Sequence, residues 1–192
     1  MAGRAGLWPA KALQVVTRDT PTRGWGAGSG WSGASTTGGP VRISAKADYA
    51  VRAAAELATS AEGRPVTGET LAQRQDIPLK FLENILTAMR TAGIVQTRRG
   101  AEGGYLLARR ADDVTVADVI RAVDGPLAAV RGEPPEGLTY PGPAEHLVEV
   151  WIAVRASLRT VLERVTIADL AAGRLPTAVR ELAAEPEAWH RR

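Results

Sequence analysis

With 192 residues, 45% of them apolar and only 5% aromatic, the chain has room for one ordinary domain or a small domain plus appendages. It holds no cysteine and only two histidines, His146 and His190. This excludes disulfides, thiolate nucleophiles, Cys-ligated zinc and Cys-ligated iron–sulfur clusters, and leaves no histidine-rich metal site. The net charge of +3 is unevenly spread, +3 over residues 1–40, +4 over 41–111 and −4 over 112–192, so a polyanionic partner would face the first half.

Residues 1–40 close on GWGAGSGWSGASTTGGP, without periodicity and rich in glycine, serine and threonine. Such a segment cannot bury enough apolar surface to offset its ordering entropy, and disorder is expected. Patterned sequence begins abruptly at Val41, and bacterial genes can start on a valine codon. A native start at Val41, with 1–40 absent, is therefore a second reading of the same boundary. No secretory signal is recognisable, and no apolar run reaches the roughly 18 residues of a membrane span, so a cytoplasmic protein is expected.

Ser44 is a good N-cap for a helix reaching about Ser60, with Tyr49, Ala53 and Leu57 on one face. Gly63 and Pro65 end it, and Thr67 caps a short second helix, ETLAQRQD. Ile77-Pro78 forms a tight break. A third helix runs from about Leu79 to Ala92 and stops at Gly93. Its residues Phe81, Leu82, Ile85, Leu86 and Met89 face one way, and Lys80, Glu83, Asn84, Thr87 and Arg90 the other. Short helix, tight break and amphipathic helix make a helix-turn-helix. Ile94–Thr97 and Tyr105–Leu107 flank a glycine-rich turn and read as a β-hairpin, placed where a wing would be.

Thr115 and Asp118 form a capping box for a helix reaching about Val123, stopped by Gly125 and Pro126. A long Pro/Gly-rich loop follows, and Pro143 opens a helix reaching about Val165. Leu147, Trp151, Val154, Leu158, Val161 and Val165 step by four and three, the spacing of a coiled-coil seam, and Val150 and Leu162 widen the stripe. Thr166 and Asp169 make a second capping box for a short helix ending at Gly173. The expected organisation is an extension (1–40), a winged helix-turn-helix (41–124), a loop (125–142), a dimerisation helix with a short helix after it (143–173) and a tail (174–192). The fold class is mainly α with a small β-hairpin wing.

The segments SAKADYAVRAAAELA, LAQRQDIPLKFLENILTAMRTAGIVQTRRGAEGGYLLAR and VTVADVIRAVDGPL resemble the Rrf2 (Rrf-two) family of bacterial transcription regulators, from about Val41 to Gly173. The resemblance implies a homodimer with an N-terminal winged helix-turn-helix and a long C-terminal dimerisation helix. Some members sense through an iron–sulfur cluster held by three cysteines in the loop before that helix. This chain has none there, so the resemblance implies DNA binding without a cluster, and no cofactor is expected. His146 sits near the cluster histidine of some relatives, but one histidine without thiolates cannot hold a cluster. The wing carries Ala101 and Glu102 where the family commonly has proline and glycine.

Candidate DNA contacts follow from donor and acceptor chemistry. Beside Leu79, at the start of the third helix, Lys80 can meet a phosphate or a guanine edge, Glu83 can accept from cytosine N4, and Asn84 can read adenine. Arg98 and Arg99 precede Gly100, Gly103, Gly104 and Tyr105, where little side chain keeps the backbone from DNA and an arginine can enter the minor groove. Ser44, Lys46 and Tyr49 are candidates for phosphate contact. A nucleotide-phosphate loop is excluded because no Lys-Ser/Thr pair follows the glycines and no helix opens on them. Asp112, Asp113 and Asp118 read as solvation and capping, with no base arranged beside them for acid–base work.

The expected function is a homodimeric, sequence-specific regulator of double-stranded DNA, a repressor on a near-palindromic operator, with an unidentified small-molecule or protein effector. The competing class is a protein-interaction module that binds a partner such as a metabolic enzyme through the winged domain. An enzyme is the weakest reading.

Overall fold

The computed structural model describes residues 43–60, 63–100 and 102–190. The expectations for 1–40, disorder or a later start, lie outside the described residues.

Helix α1 (Ala45–Ala58) begins where Ser44 Oγ accepts from the Ala47 amide at 2.9 Å. It buries Ala47, Ala50, Ala53, Ala54 and Leu57, a face of mostly single-methyl side chains that lets neighbouring helices approach closely. Thr67 caps α2 (Gly68–Gln75) through its side chain. Asp76 takes the left-handed conformation (φ 49°, ψ 54°), and the Ile77 amide bonds back to the Ala72 carbonyl at 2.9 Å, burying Ile77. Pro78 then opens α3 (Leu79–Thr91), its carbonyl accepting from the Phe81 and Leu82 amides at 3.0 Å. Leu82, Ile85, Leu86 and Met89 are fully buried as their spacing requires. Phe81 is not: it remains 40% exposed. At about 100° per residue it lies a quarter-turn off the centre of the buried stripe.

Gly93, at φ +70°, ends α3 and turns the chain into β1 (Val95–Arg98), which pairs antiparallel with β2 (Gly104–Leu107) in the register Val95 to Leu107 and Arg98 to Gly104. Val66, ahead of α2, adds an isolated bridge to Tyr105, each amide donating to the other's carbonyl at 2.8 Å. Both capping boxes form. Thr115 opens α4 (Val116–Asp124) and Thr166 opens α6 (Ile167–Ala171), each with its aspartate three residues on returning the bond. The backbone amide and hydroxyl of Thr166 hold the Asp169 carboxyl below its ordinary range.

The long helix, α5 (Leu147–Leu162), is shorter than its seam predicts. Gly142–Ala144 is a 3₁₀ turn, and at the far end the chain leaves the helix so that the Val165 carbonyl can accept from the Val116 amide at 2.9 Å. Ile167 donates to the Val114 carbonyl at 2.8 Å. Val165 is therefore 5% exposed inside the intrachain core and drops out of the α5 seam. The preceding loop folds onto α5 with Pro135 and Leu138 buried. The Trp151 indole N–H donates to the Tyr140 hydroxyl at 3.2 Å, and Arg155 pairs with Glu136 at 2.6 Å. The tail holds α7 (Thr177–Ala184) and a 3₁₀ turn (Pro186–Trp189). Among the described residues no helix is long and apolar enough to cross a membrane.

Since Ile167 is as fully buried as Leu82 and packs in the same core, Ile167→Ala should cost about 2–5 kcal/mol in urea unfolding, comparable to Leu82→Ala, within a single transition. A separate early transition for the α6 segment would contradict this packing.

Candidate nucleic-acid interface

The four buried side chains of α3 leave Lys80, Glu83 and Asn84 on the opposite, exposed face. The Thr87 hydroxyl donates back to the Glu83 carbonyl at 2.8 Å and that of Thr91 to the Thr87 carbonyl at 3.0 Å, so both are engaged with their own helix. No described residue hydrogen-bonds or ion-pairs with the side chains of Lys80, Glu83, Asn84, Arg98 or Arg99. By contrast Arg52, Arg74, Arg110, Arg121, Arg155 and Arg159 each pair with a carboxylate.

The wing positions its arginines through backbone geometry. Arg98 closes β1 opposite Gly104, and Arg99 enters the turn. Gly100 sits at φ +114° with open space around it, as expected where a backbone is to approach a ligand. Gly103 and Gly104 have a different role. A Cβ on Gly103 would lie 2.7 Å from the Arg98 carbonyl oxygen, and one on Gly104 would lie 2.6 Å from that of Val66. These two glycines are required by the wing's own packing. At the base of the wing, Gly68 leaves room for Leu79 and Tyr105 to converge, their side chains 3.6 and 3.7 Å from where its Cβ would stand. Wing and α3 thus meet on one small residue.

The α1 candidates divide. The Ser44 hydroxyl donates to Asp124 at 2.5 Å and the Lys46 ammonium to the Val123 carbonyl at 2.5 Å, both at the C-terminal end of α4. A cation there meets the negative end of the helix dipole, which gives Lys46 a partner within the fold. Tyr49 instead joins the α3 side: its ring meets Phe81 edge-on, centroids 5.7 Å apart, and Arg52 lies 5.3 Å over it. Phe81 is exposed beside Tyr49, although its spacing groups it with Leu82, Ile85, Leu86 and Met89.

On α5 no residue is fully buried. Val150 is exposed, and Leu147, Trp151, Val154, Leu158, Val161 and Leu162 are half-buried.

A tight-turned helix pair followed at once by a two-stranded wing, with unpaired cations on both, defines a winged helix-turn-helix DNA-binding protein. Residues 43–173 match the family model Rrf2, described as an iron-dependent transcriptional regulator. The chain belongs to the Rrf2 family and is a DNA-binding transcription regulator. It is 52% identical over 143 residues, 74% of its own length and 89% of the relative's, to Rv1287 of Mycobacterium tuberculosis, named as an HTH-type transcriptional regulator. Among solved structures, CymR of B. subtilis superposes with a TM-score of 0.58 at 35% identity, covering 70% of this chain and 98% of that one. IscR of T. potens gives 0.55 at 31% identity, covering 79% and 93%. These relatives are regulators of transcription, not enzymes.

The iron in the family's description does not fit the residues present. The chain has no thiolate, and His146 is exposed, 3.3 Å from Glu145 and 3.5 Å from Glu149. Among the described residues no cluster of three or more histidines and carboxylates is placed to hold a metal. An iron–sulfur cluster has no ligand set here.

Gly104→Ala should cost about 1–3 kcal/mol, because the Val66–Tyr105 pairing must open to admit the methyl group. Amide exchange should accelerate at Val66 and Tyr105, and DNA binding should weaken. Wild-type stability with both amides still protected would contradict this packing.

Proposed function

We propose that the chain acts as a homodimeric repressor, two copies joined along α5, each presenting α3 and the wing to half of a near-palindromic operator. The observation that carries this reading is that Lys80, Arg98 and Arg99 have no partner among the described residues, on two elements that converge at Gly68. The recognition helices would enter successive major grooves about 34–36 Å apart. In this reading Lys80 meets a phosphate or guanine, Glu83 accepts from cytosine N4, and Asn84 pairs with adenine. Arg98 and Arg99 serve the minor groove and adjacent phosphates, with Gly100 allowing close approach. Tyr49 braces the helix from α1. In this reading the bound dimer blocks transcription from the promoter it covers. In a purified transcription assay, added protein should lower output from an operator-bearing promoter, and a rise would overturn the repressor assignment.

The dimer rests on the α5 stripe, which the single chain leaves half-buried, with Val150 exposed. Burying several of its large side chains at about 1.5–3 kcal/mol each favours pairing. Val154→Glu with Leu158→Glu should sediment as a monomer that no longer holds operator, whereas an intact dimer would refute the seam.

Arg99 and Glu83 should behave differently. Arg99→Ala should weaken operator binding and lower the salt slope by about one unit. Glu83→Ala removes a negative charge near phosphates, so it should bind non-operator DNA at least as well as wild type. Its preference for operator should fall by about 1–3 kcal/mol. A folded dimer of either variant with unchanged operator affinity and specificity would refute its assigned role.

A further inference from the structure

The first turn of α3 exposes two large apolar side chains, Leu79 at 37% and Phe81 at 40%. Leu79 is accounted for by its convergence with Tyr105 over Gly68. Phe81 is not accounted for by the core, since the stripe that buries α3 runs through Leu82, Ile85, Leu86 and Met89 without it. Its ring is nonetheless held. Tyr49 meets it at an interplanar angle of 83°, and Tyr49 is itself braced by Arg52, whose guanidinium also contacts Asp48 at 3.3 Å and Gln75 at 3.4 Å. A phenyl ring fixed in this way, one turn before Ile85 and three residues before Asn84, flanks the polar face of the helix. A hydrocarbon ring gains nothing from a phosphate. The major groove offers it one apolar feature, the C5 methyl of thymine.

We infer that Phe81 is a specificity-determining residue, its ring, held edge-on by Tyr49, packing against the methyl group of one thymine in each half-site. The inference rests on α3 being the recognition helix. It adds to that reading a base preference set by apolar contact rather than by hydrogen bonds. Within this assignment Tyr49 and Arg52 are positioning residues that limit the rotamers open to the ring.

The test uses the full-length protein and a duplex selected by it from random-sequence DNA. Each thymine is replaced singly by deoxyuridine, which keeps every pairing and hydrogen-bonding edge and removes only the methyl. For wild type, one position in each half-site should lose about fourfold in affinity, the worth of one methyl taken out of water. Phe81→Ala should bind the thymine and uracil duplexes equally, and Phe81→Leu should retain part of the difference. A residue that only wedges α3 against α1 would lower overall affinity when removed but leave the thymine-to-uracil ratio unchanged, and that result overturns the inference. So does a wild type indifferent to every replacement, whether or not the variants fold. In both cases tight, salt-dependent binding of the selected duplex leaves the DNA-reading function standing. Failure to select any duplex would overturn the reading and the inference together.

Discussion

The functional surface depends on the burial of one stripe on α3. Leu82, Ile85, Leu86 and Met89 are withdrawn from water against α1 and α4, each contributing about 1.5–3 kcal/mol. Turning the helix by even one residue, about 100°, would expose most of them. The exposed face that carries Lys80, Glu83 and Asn84 is therefore aimed by what lies behind it. The alanines of α1, Ala47, Ala50, Ala53 and Ala54, make this possible because their small side chains let the partner helix approach closely.

The wing is tied to the same body by few contacts, each of them strict. Tyr105 pairs with Val66 through two backbone hydrogen bonds, and Gly104 leaves the space that this pairing needs. Beyond the bridge, Arg98 and Arg99 are carried outward with no described carboxylate to neutralise them. Exposed ion pairs such as Arg74–Glu56 and Arg110–Asp112 add little stability. Their effect is rather on where the positive field is left standing.

The second half of the chain meets a different requirement. The loop before α5 is anchored by packing, with Pro135 and Leu138 buried, Tyr140 bonded to Trp151 and Glu136 paired with Arg155. The backbone amide of Glu136 and the Arg155 guanidinium hold the Glu136 carboxyl below its ordinary value, so it stays ionised to a lower pH than a free glutamate. The loop covers one flank of α5 and leaves Val150 and Ile152 in water.

Local chemistry made much of this readable in advance. A capping box needs only Thr115 and Asp118, or Thr166 and Asp169, three residues apart, and both formed. The break at Ile77-Pro78, the stop at Gly93 and the hairpin around the glycines likewise depend on neighbours in the chain. Absent thiolates ruled out a cluster from composition alone. What periodicity could not decide were contacts between residues distant in sequence. The Lys46 ammonium reaches a carbonyl 77 residues away, Val165 leaves its helix to pair with Val116, and Gly104 answers to Val66. Phe81 falls at the margin of its stripe, where a side chain's burial is set by the neighbour it meets. That neighbour is Tyr49 on another helix, which meets the ring at an interplanar angle of 83° and leaves part of it in water.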